Sequence, residues 1–373
     1  GYVNLYYSKD SGATWTEIAD GQNVENTGTF TWYSVPVDAV STKARIKVAD
    51  ASDDEAFDMS NADFRIRCTL VLTYPNGAEH LRVGRTYNIT WNQVGNPTNV
   101  KLEYSRDNFL SDYQTIEAAL PTPPAHSYAW TVPNSIHEQV KVRISDALDY
   151  GARDDSDAAF RITGDFRITA PNNAENWEVN STQAITWVSA GTMPDVKLEY
   201  SVNGGADYTV IGAYANNGSR NWTIPNSVSE ACRIRISDLG DSTANDVSDA
   251  NFNIVPKLTL TAPNAGTEVW VVNEPHTITW STVGTIANVR LDLSTDGGST
   301  YPVPIVASTP DDGSFEWTVT DHISDTAKVR VAHEAPFASD ASDLAFKIKG
   351  DFDILSPDGG ELWQINQAKT ITW

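Results

Sequence analysis

The tripeptide Ile-Thr-Trp ends at Trp91, Trp187, Trp280 and Trp373, in steps of 96, 93 and 93 residues. A period of this length limits the chain to folds made by stacking one unit, because each repeat must bury its own apolar face or share it with its neighbours. Other phrases return in the same order. The phrase VKLEYS begins at Val100 and Val196, with VRLDLS at Val289 and VNLYYS at Val3. Next come WTVPNSI at Trp130, WTIPNSV at Trp222, WTVTDHI at Trp317 and the looser WYSVPV at Trp32. Each repeat closes on an acidic loop and a last apolar phrase: SDAAFRI at Ser156, SDANFNI at Ser248, SDLAFKI at Ser342 and SNADFRI at Ser60.

Within these phrases the apolar residues alternate with polar ones. Val100, Leu102 and Tyr104 face one way, and Lys101, Glu103 and Ser105 the other. A period of two is that of a strand with one buried face. In the arginine-rich phrase Val140, Val142 and Ile144 alternate with Lys141 and Arg143, and Cys232, Ile234 and Ile236 with Arg233 and Arg235. Cys232 therefore occupies the slot held elsewhere by Ala44, Val140 and Ala327, that of a small buried hydrophobe. Roughly seven such strands per ~93 residues, set apart by Pro, Asn, Gly and Asp clusters, predict an all-β chain. The expected architecture is a tandem array of immunoglobulin or fibronectin III-like β-sandwiches. Paired cysteines are absent, so the tryptophans of the second strand (Trp91, Trp187, Trp280, Trp373) and of the fifth (Trp32, Trp130, Trp222, Trp317) are expected to meet across the core.

The period sets the expected boundaries. Residues 1–67 form an incomplete repeat without its first two strands, 68–164, 165–256 and 257–350 form complete repeats, and 351–373 carry the first two strands of a further one. Junctions as short as Gly164-Asp165, Val255-Pro256 and Lys349-Gly350 predict a stiff rod. Open sandwich edges are association-prone, so the strands that 1–67 needs are expected from more of the same polypeptide or from a neighbouring copy, giving head-to-tail self-association or a longer array.

The phrases SPDGGELWQINQAKTITW (Ser356 to Trp373), APNNAENWEVNSTQAITW and TAPNAGTEVWVVNEPHTITW resemble the opening of the immunoglobulin-like domain at the N-terminus of fungal Kre/Knh-type, Ser/Thr-rich GPI-anchored cell-wall proteins. They are similar also to modules of bacterial surface proteins with many tandem copies. The fungal resemblance implies involvement in cell-wall β-glucan assembly and carries over no catalytic residue.

A second resemblance lies in SKDSGATW (Ser8 to Trp15), which is similar to the Asp-box turn of sialidase propellers. Its counterparts are STDGGSTY at Ser294, SVNGGADY at Ser201 and SRDNFLSDY at Ser105, one per repeat and always after the third strand. That position predicts a hairpin turn in which Asp10 accepts amide hydrogens and Gly12 supplies permissive torsions. A propeller would repeat the motif about twice as often, once per blade.

The acidic loops are the candidate metal site. One carries Asp146, Asp149, Asp154, Asp155 and Asp157, and the next Asp238, Asp241, Asp246 and Asp249. The first repeat has Asp50, Asp53, Asp54, Glu55 and Asp58 at this place; the fourth has His333, Glu334, Asp340 and Asp343. Clustered carboxylates suit Ca2+, which takes six to eight oxygen ligands, and an ion at the pole facing the preceding repeat would stiffen the rod. The same residue types also cap turns as solvated side chains, and the spacing is not that of an EF-hand.

Two rows of charge are expected to pair across strands: Lys141, Arg143, Arg233, Arg235, Lys328 and Arg330 on the sixth strand, and Glu103, Glu199 and Asp292 on the third. All twelve tryptophans fall into repeat slots, the third being Trp177, Trp270 and Trp363. If that third slot is exposed, it offers weak multivalent contact to a cell-surface glycan.

The formal net charge of -23 argues against nucleic acid and anionic membranes as partners. No apolar run reaches the ~18 residues of a membrane span. Catalysis has no constellation to carry it. The six histidines lack HExxH spacing, no GxSxG elbow occurs, and Cys68 and Cys232 stand without a matched base. The expectation is a non-enzymatic, extracellular or cell-surface structural protein, a filament, stalk or surface-layer element, with an adhesin or glycan-binding array as the alternative.

Overall fold

The computed structural model describes residues 1–122 and 125–373. Among them there is no α-helix, and the one helical turn is the short 3-10 segment Ala19–Gly21. Contacts divide the chain into two compact units, Gly1–Asp165 with Ser189–Met193, and Phe166–Val188 with Pro194–Trp373. Each holds more than one repeat.

In the first compact unit, Thr69–Tyr74, Thr86–Val94 and Ser127–Thr131 form a three-stranded antiparallel sheet with Thr86–Val94 in the middle. A second sheet carries Tyr113–Pro121, Asn99–Ser105, His137–Asp146 and Phe160–Thr163, with Arg153–Asp155 attached to His137–Asp146. The alternation read from the sequence points inward as expected: Leu70, Leu72, Ile89 and Trp91 on one sheet meet Val100, Leu102, Val142, Ile144 and Phe160 on the other. This is a two-sheet sandwich of immunoglobulin and fibronectin III type, with the core between the two sheets. In the second compact unit Lys257–Ala262, Pro275–Val283 and Ser314–Thr318 form the same small sheet. Asn288–Ser294, Val303–Pro310, Ser324–Glu334, Phe337–Ala341 and Phe346–Lys349 form the larger one around Leu291, Val329, Val331 and Phe346. Cys232 is fully buried, as its slot predicts, alongside Ala44, Val140 and Ala327 in theirs.

The described residues of 69–163 form nine strands rather than about seven. The additions are Arg153–Asp155, on the acidic loop, and His80–Arg82, which leaves the small sheet and pairs in parallel with Phe160–Thr163. The crossover recurs as Asn176–Glu178 on Phe252–Val255 and Val269–Val271 on Phe346–Lys349. It carries the third tryptophan slot, which is core and not surface. Trp177 and Trp270 are each 6% exposed. Trp177 packs 5.0 Å from Phe252 and 6.2 Å from Trp222, and Trp270 packs 4.7 Å from Phe346 and 5.9 Å from Trp317.

The tryptophans of the second and fifth strands do not meet across the core, because those strands are neighbours in one sheet. Trp130 faces Tyr87 there, while the Trp91 amide donates to the His126 carbonyl further along. The fifth-strand tryptophan reaches across to the third-strand tyrosine instead: Tyr7–Trp32, Tyr104–Trp130 and Tyr200–Trp222 have centroids 5.2, 5.5 and 5.1 Å apart.

Residues 1–67 form a single sheet from Tyr2–Ser8, Thr16–Glu17, Val24–Glu25, Ser41–Asp50, Phe57–Met59 and Phe64–Ile66. Their core is small, with Leu5, Tyr7, Ile18 and Ala39 at its centre. Residues 29–33, the counterpart of Ser127–Thr131, are not a strand. In the complete repeats that strand pairs only with the Ile-Thr-Trp strand. Residues 351–373 contain one bridge, Ser356 to Thr372, and every residue except Ser356 is exposed.

Candidate functional site

The Asp-box phrase folds as a capped hairpin turn. Ser8 Oγ donates to Asp10 Oδ1 at 2.7 Å and accepts from the Gly12 amide at 2.8 Å. Thr14 donates its amide to Oδ1 at 2.8 Å and its hydroxyl to Oδ2 at 2.6 Å. Ser294, Asp296, Gly298 and Thr300 repeat the set; Ser201, Asn203, Gly205 and Asp207 repeat its first three bonds, while the fourth is reversed, Asn203 Nδ2 donating to Asp207 Oδ2. The Thr14 hydroxyl, foremost among these donors, lowers the Asp10 carboxyl to about 2, and the Thr300 hydroxyl does the same for Asp296. A carboxylate held by several donors is a folding device and not a general acid.

The acidic loops are engaged by the fold around them. Asp154 Oδ2 accepts the Leu72 amide at 2.7 Å, where the opening strand slips register between Leu72 and Tyr74. Asp246 accepts the Ile168 amide and Asp340 the Leu260 amide in the same way, each at 2.7 Å. The carboxylate thus satisfies an amide at an irregularity in the ladder. Asp157 and Asn76 bond reciprocally. Asn76 Nδ2 donates to Asp157 Oδ2 at 2.7 Å, and the Asp157 amide donates to Asn76 Oδ1 at 2.8 Å. Asp249 accepts from Asn172 Nδ2 at 2.8 Å.

Asp155 holds Arg143 through two bonds of 2.6 and 2.7 Å. Asp146 caps the Leu148 amide, Asp238 the Asp241 amide, and Asp241 the Thr243 amide and hydroxyl. Among the described residues no three His, Cys, Asp or Glu side chains converge as a metal site would require. These aspartates cap turn amides, pin strand amides, or hold Arg143 and asparagine side chains.

Asp149 has a different task. Its side chain is 3% exposed and receives Arg67 Nε at 2.8 Å and Arg65 Nη1 at 2.9 Å. Both arginines lie at the end of the first repeat, whereas Asp149 lies on the acidic loop of the second. The loop does reach the preceding repeat, as expected from the sequence, but its partner there is a pair of guanidinium groups. Hydrogen bonding to Arg67 is the main force lowering the Asp149 carboxyl and raising the Arg67 guanidinium. Between the same two repeats the Asn96 amide donates to the Val37 carbonyl at 2.7 Å.

A clasp of like position recurs. In the first compact unit Asn134 Nδ2 donates to Thr192 Oγ1 at 2.7 Å and the Thr192 amide returns to Asn134 Oδ1 at 3.0 Å. In the second, Asn226 and Thr285 make the same two bonds at 2.7 and 2.8 Å. The residue before each threonine, Gly191 or Gly284, has a φ of +103° or +117°, a conformation that L side chains rarely adopt. A β-carbon on Gly284 would also stand 3.3 Å from Pro256. A fixed turn, a glycine and an asparagine–threonine pair therefore form one seam repeated along the chain.

The charge ladder pairs as expected at two of its three places. Arg235 meets Glu199 and Arg330 meets Asp292, at 2.8 and 2.9 Å. In the second repeat Arg143 turns to Asp155 instead, and Glu103 pairs with Lys101 at 2.6 Å. Both cysteines are buried thiols. Desolvation pushes Cys68 up to about 11 and raises Cys232 as well, the opposite of what an activated nucleophile needs.

Fold and seams together define a class: tandem immunoglobulin and fibronectin III-like sandwiches joined by repeated polar clasps. No protein-family model matches the chain, and no curated protein matches it. Among solved structures, the chain is similar to fibronectin(III)-like modules of Clostridium thermocellum CbhA, at 18% identity over 50% of this chain and 94% of that one, with a TM-score of 0.19. It is similar also to the N-terminal four Ig domains of Dscam1 isoform 1.9, at 10% identity over 93% and 91%, TM-score 0.26. Three N-terminal domains of the bacteriophage RB49 Highly Immunogenic Outer Capsid protein match at 10% identity over 76% and 99%, TM-score 0.25.

Proposed function

We propose that the chain is a structural repeat protein of an extracellular or cell-surface array, a stiff spacer, filament or surface-layer element that works without catalysis. The observation that carries this reading is the recurring seam. Asn134–Thr192 and Asn226–Thr285 are the same clasp, and Arg65 and Arg67 hold Asp149 at an earlier junction. Residues spent on joining repeats suit a molecule whose output is length and stiffness. No helix is long and apolar enough to cross a membrane among the described residues.

Electron microscopy and small-angle scattering of the whole chain test the proposal. Particles several times longer than wide, of uniform contour, are expected; a compact particle, or beads on freely bending joints, would overturn it. The glycan-contact reading rests on an exposed third tryptophan slot, and Trp177 and Trp270 are buried. A glycan screen of the same chain is therefore expected to be blank.

A further inference from the structure

Three of the four acidic loops carry one aromatic residue: Phe57 in the first repeat, Tyr150 in the second and Phe337 in the fourth. The third loop, from Asp238 to Asp249, carries none. In the first two repeats the ring lies over the base of the sixth strand. The Phe57 ring centre is 5.5 Å from Lys47 Nζ, and that of Tyr150 is 5.5 Å from the Arg143 guanidinium carbon. In the fourth repeat the loop is one residue shorter and forms a tight hairpin, with Phe337 paired to Glu334, and Glu334 takes Arg290.

The second and third repeats correspond residue for residue at this place. Arg143 faces Asp155 and Ser145 faces Arg153 across the ladder, and Arg235 faces Val247 and Ser237 faces Asn245 in the same register. The loops are of equal length, so Ser242 stands where Tyr150 stands. Three exchanges remove what covers the arginine: Ser242 for Tyr150, Asn245 for Arg153 and Val247 for Asp155. They leave a groove of about 500 Å³ lined by Lys197, Glu199, Arg235, Ser237, Ser242 and Asn245.

The arginine shows what the groove lacks. In the second repeat every nitrogen of the Arg143 guanidinium is engaged: Nε and Nη2 donate to Asp155, and Nη1 donates to the Tyr150 hydroxyl. Its side chain is 10% exposed. Arg235 directs Nε and Nη2 to Glu199, each 2.8 Å from Oε2. Its Nη1, the counterpart of the atom that holds the phenol, has no partner among the described residues, and the side chain is 35% exposed. The Asp-box turn covers both guanidinium groups alike, Phe109 over Arg143 and Tyr208 over Arg235, with ring centres 3.9 Å away. The two places agree in that stacked ring and differ in the phenol.

We propose that the groove of the third repeat is a docking site for a tyrosine side chain presented by a partner polypeptide, with the phenol oxygen accepting from Arg235 Nη1 as Tyr150 accepts from Arg143. A ring with one polar tip suits a half-polar groove whose donor is already oriented. Leu239, 53% exposed, also lines the groove and meets an apolar neighbour of that tyrosine. The net charge of -23 favours a basic segment around it. The site goes beyond the array reading, because it gives a periodic chain an attachment point at one repeat.

Titration of the whole chain with the peptide Lys-Ala-Tyr-Ala-Lys to about 5 mM, followed by calorimetry and NMR, tests it. One site per chain is expected. The counterpart peptide with phenylalanine should bind about tenfold more weakly, since it lacks the oxygen that meets a charged donor. S242Y should fill the groove from within and abolish binding, and Y150S should free Arg143 Nη1 and raise the count to two. Ser242 is exposed and Tyr150 is 45% exposed, so both variants should stay folded, which their melts check. A wild-type chain that binds neither peptide overturns the proposal, as do equal affinities for the two, binding that S242Y leaves intact, or a count that Y150S does not raise. Self-association that S242Y suppresses overturns it as well, because the occupant is then a second copy of this chain.

Discussion

Arg67 donates Nε to Asp149 Oδ2 at 2.8 Å, across the junction between the first and second repeats, and Arg65 shares the same carboxylate. The acid is buried and the bases are about half exposed. Removing Asp149 leaves two guanidinium groups that water can solvate, whereas removing the arginines leaves a buried charge. Asp149→Ala should therefore lower stability by about 1–2 kcal/mol, and a double Arg65→Ala, Arg67→Ala change by more, about 3 kcal/mol. Urea titration of the whole chain measures both; equal losses would contradict the asymmetry.

Gly151 lies against the same pair, since a β-carbon there would stand 2.3 Å from Arg67 Nη2. Gly151→Ala should displace the guanidinium and reproduce part of the Asp149→Ala loss. The two changes combined should cost less than their sum, because they remove one interaction. Additive losses in a double-mutant cycle would show that Gly151 acts elsewhere.

Hydrogen bonding lowers the Asp149 carboxyl in the folded chain. A group depressed on folding adds stability above its unfolded value and loses it as pH falls through the folded one. The same sign holds for Asp10 and Asp296, whose carboxyls are lowered to about 2. Carboxyl resonances of Asp10 and Asp296 followed by NMR should titrate near pH 2, below an ordinary aspartate. Midpoints at the ordinary value would show that the Thr14 and Thr300 hydroxyls do not hold them in solution.

What was legible in the sequence was what repeats locally. The alternation in Val100 to Tyr104 placed strands and faces, and the slot shared by Cys232 with Ala44, Val140 and Ala327 placed a buried thiol. The third tryptophan slot was not legible as core, because Asn176–Glu178 is three residues long and pairs in parallel with Phe252–Val255 far along the chain. A period of two cannot declare itself over three residues. The available signal was the recurrence of Leu81, Trp177, Trp270 and Trp363 at one place in the repeat, each a large apolar side chain. The bonds made by the acidic loops were not legible for a related reason: Asp154 and Asp246 accept amides at Leu72 and Ile168, remote in sequence. Spacing within a loop cannot reveal a partner outside it.

The burial of that slot yields a contrast between equivalent residues. Trp270 packs on Phe346 and Trp317 inside a complete core, whereas Trp363 on the C-terminal segment is 44% exposed. Trp270→Ala should cost about 3–5 kcal/mol through lost apolar contact and the cavity left behind. Trp363→Ala should leave the melt of the complete repeats within about 0.5 kcal/mol of wild type. Equal losses at the two positions would mean that residues 351–373 are packed into a core of their own.

The aspartates first read as calcium ligands provide the last test. Asp154 and Asp246 hold strand amides, Asp155 holds Arg143, and Asp157 and Asp249 hold asparagine side chains. An ion would have to displace these partners to gather six or more oxygens. Millimolar Ca2+ should therefore leave the melting temperature unchanged, and chelator should not lower it. Any ligand that binds only the folded state raises stability with its concentration, by about 2.7 kcal/mol at a hundredfold excess over Kd. A calcium-dependent rise of that order, lost on mutating Asp154 or Asp246 but not Asp10, would return these loops to the metal-site reading.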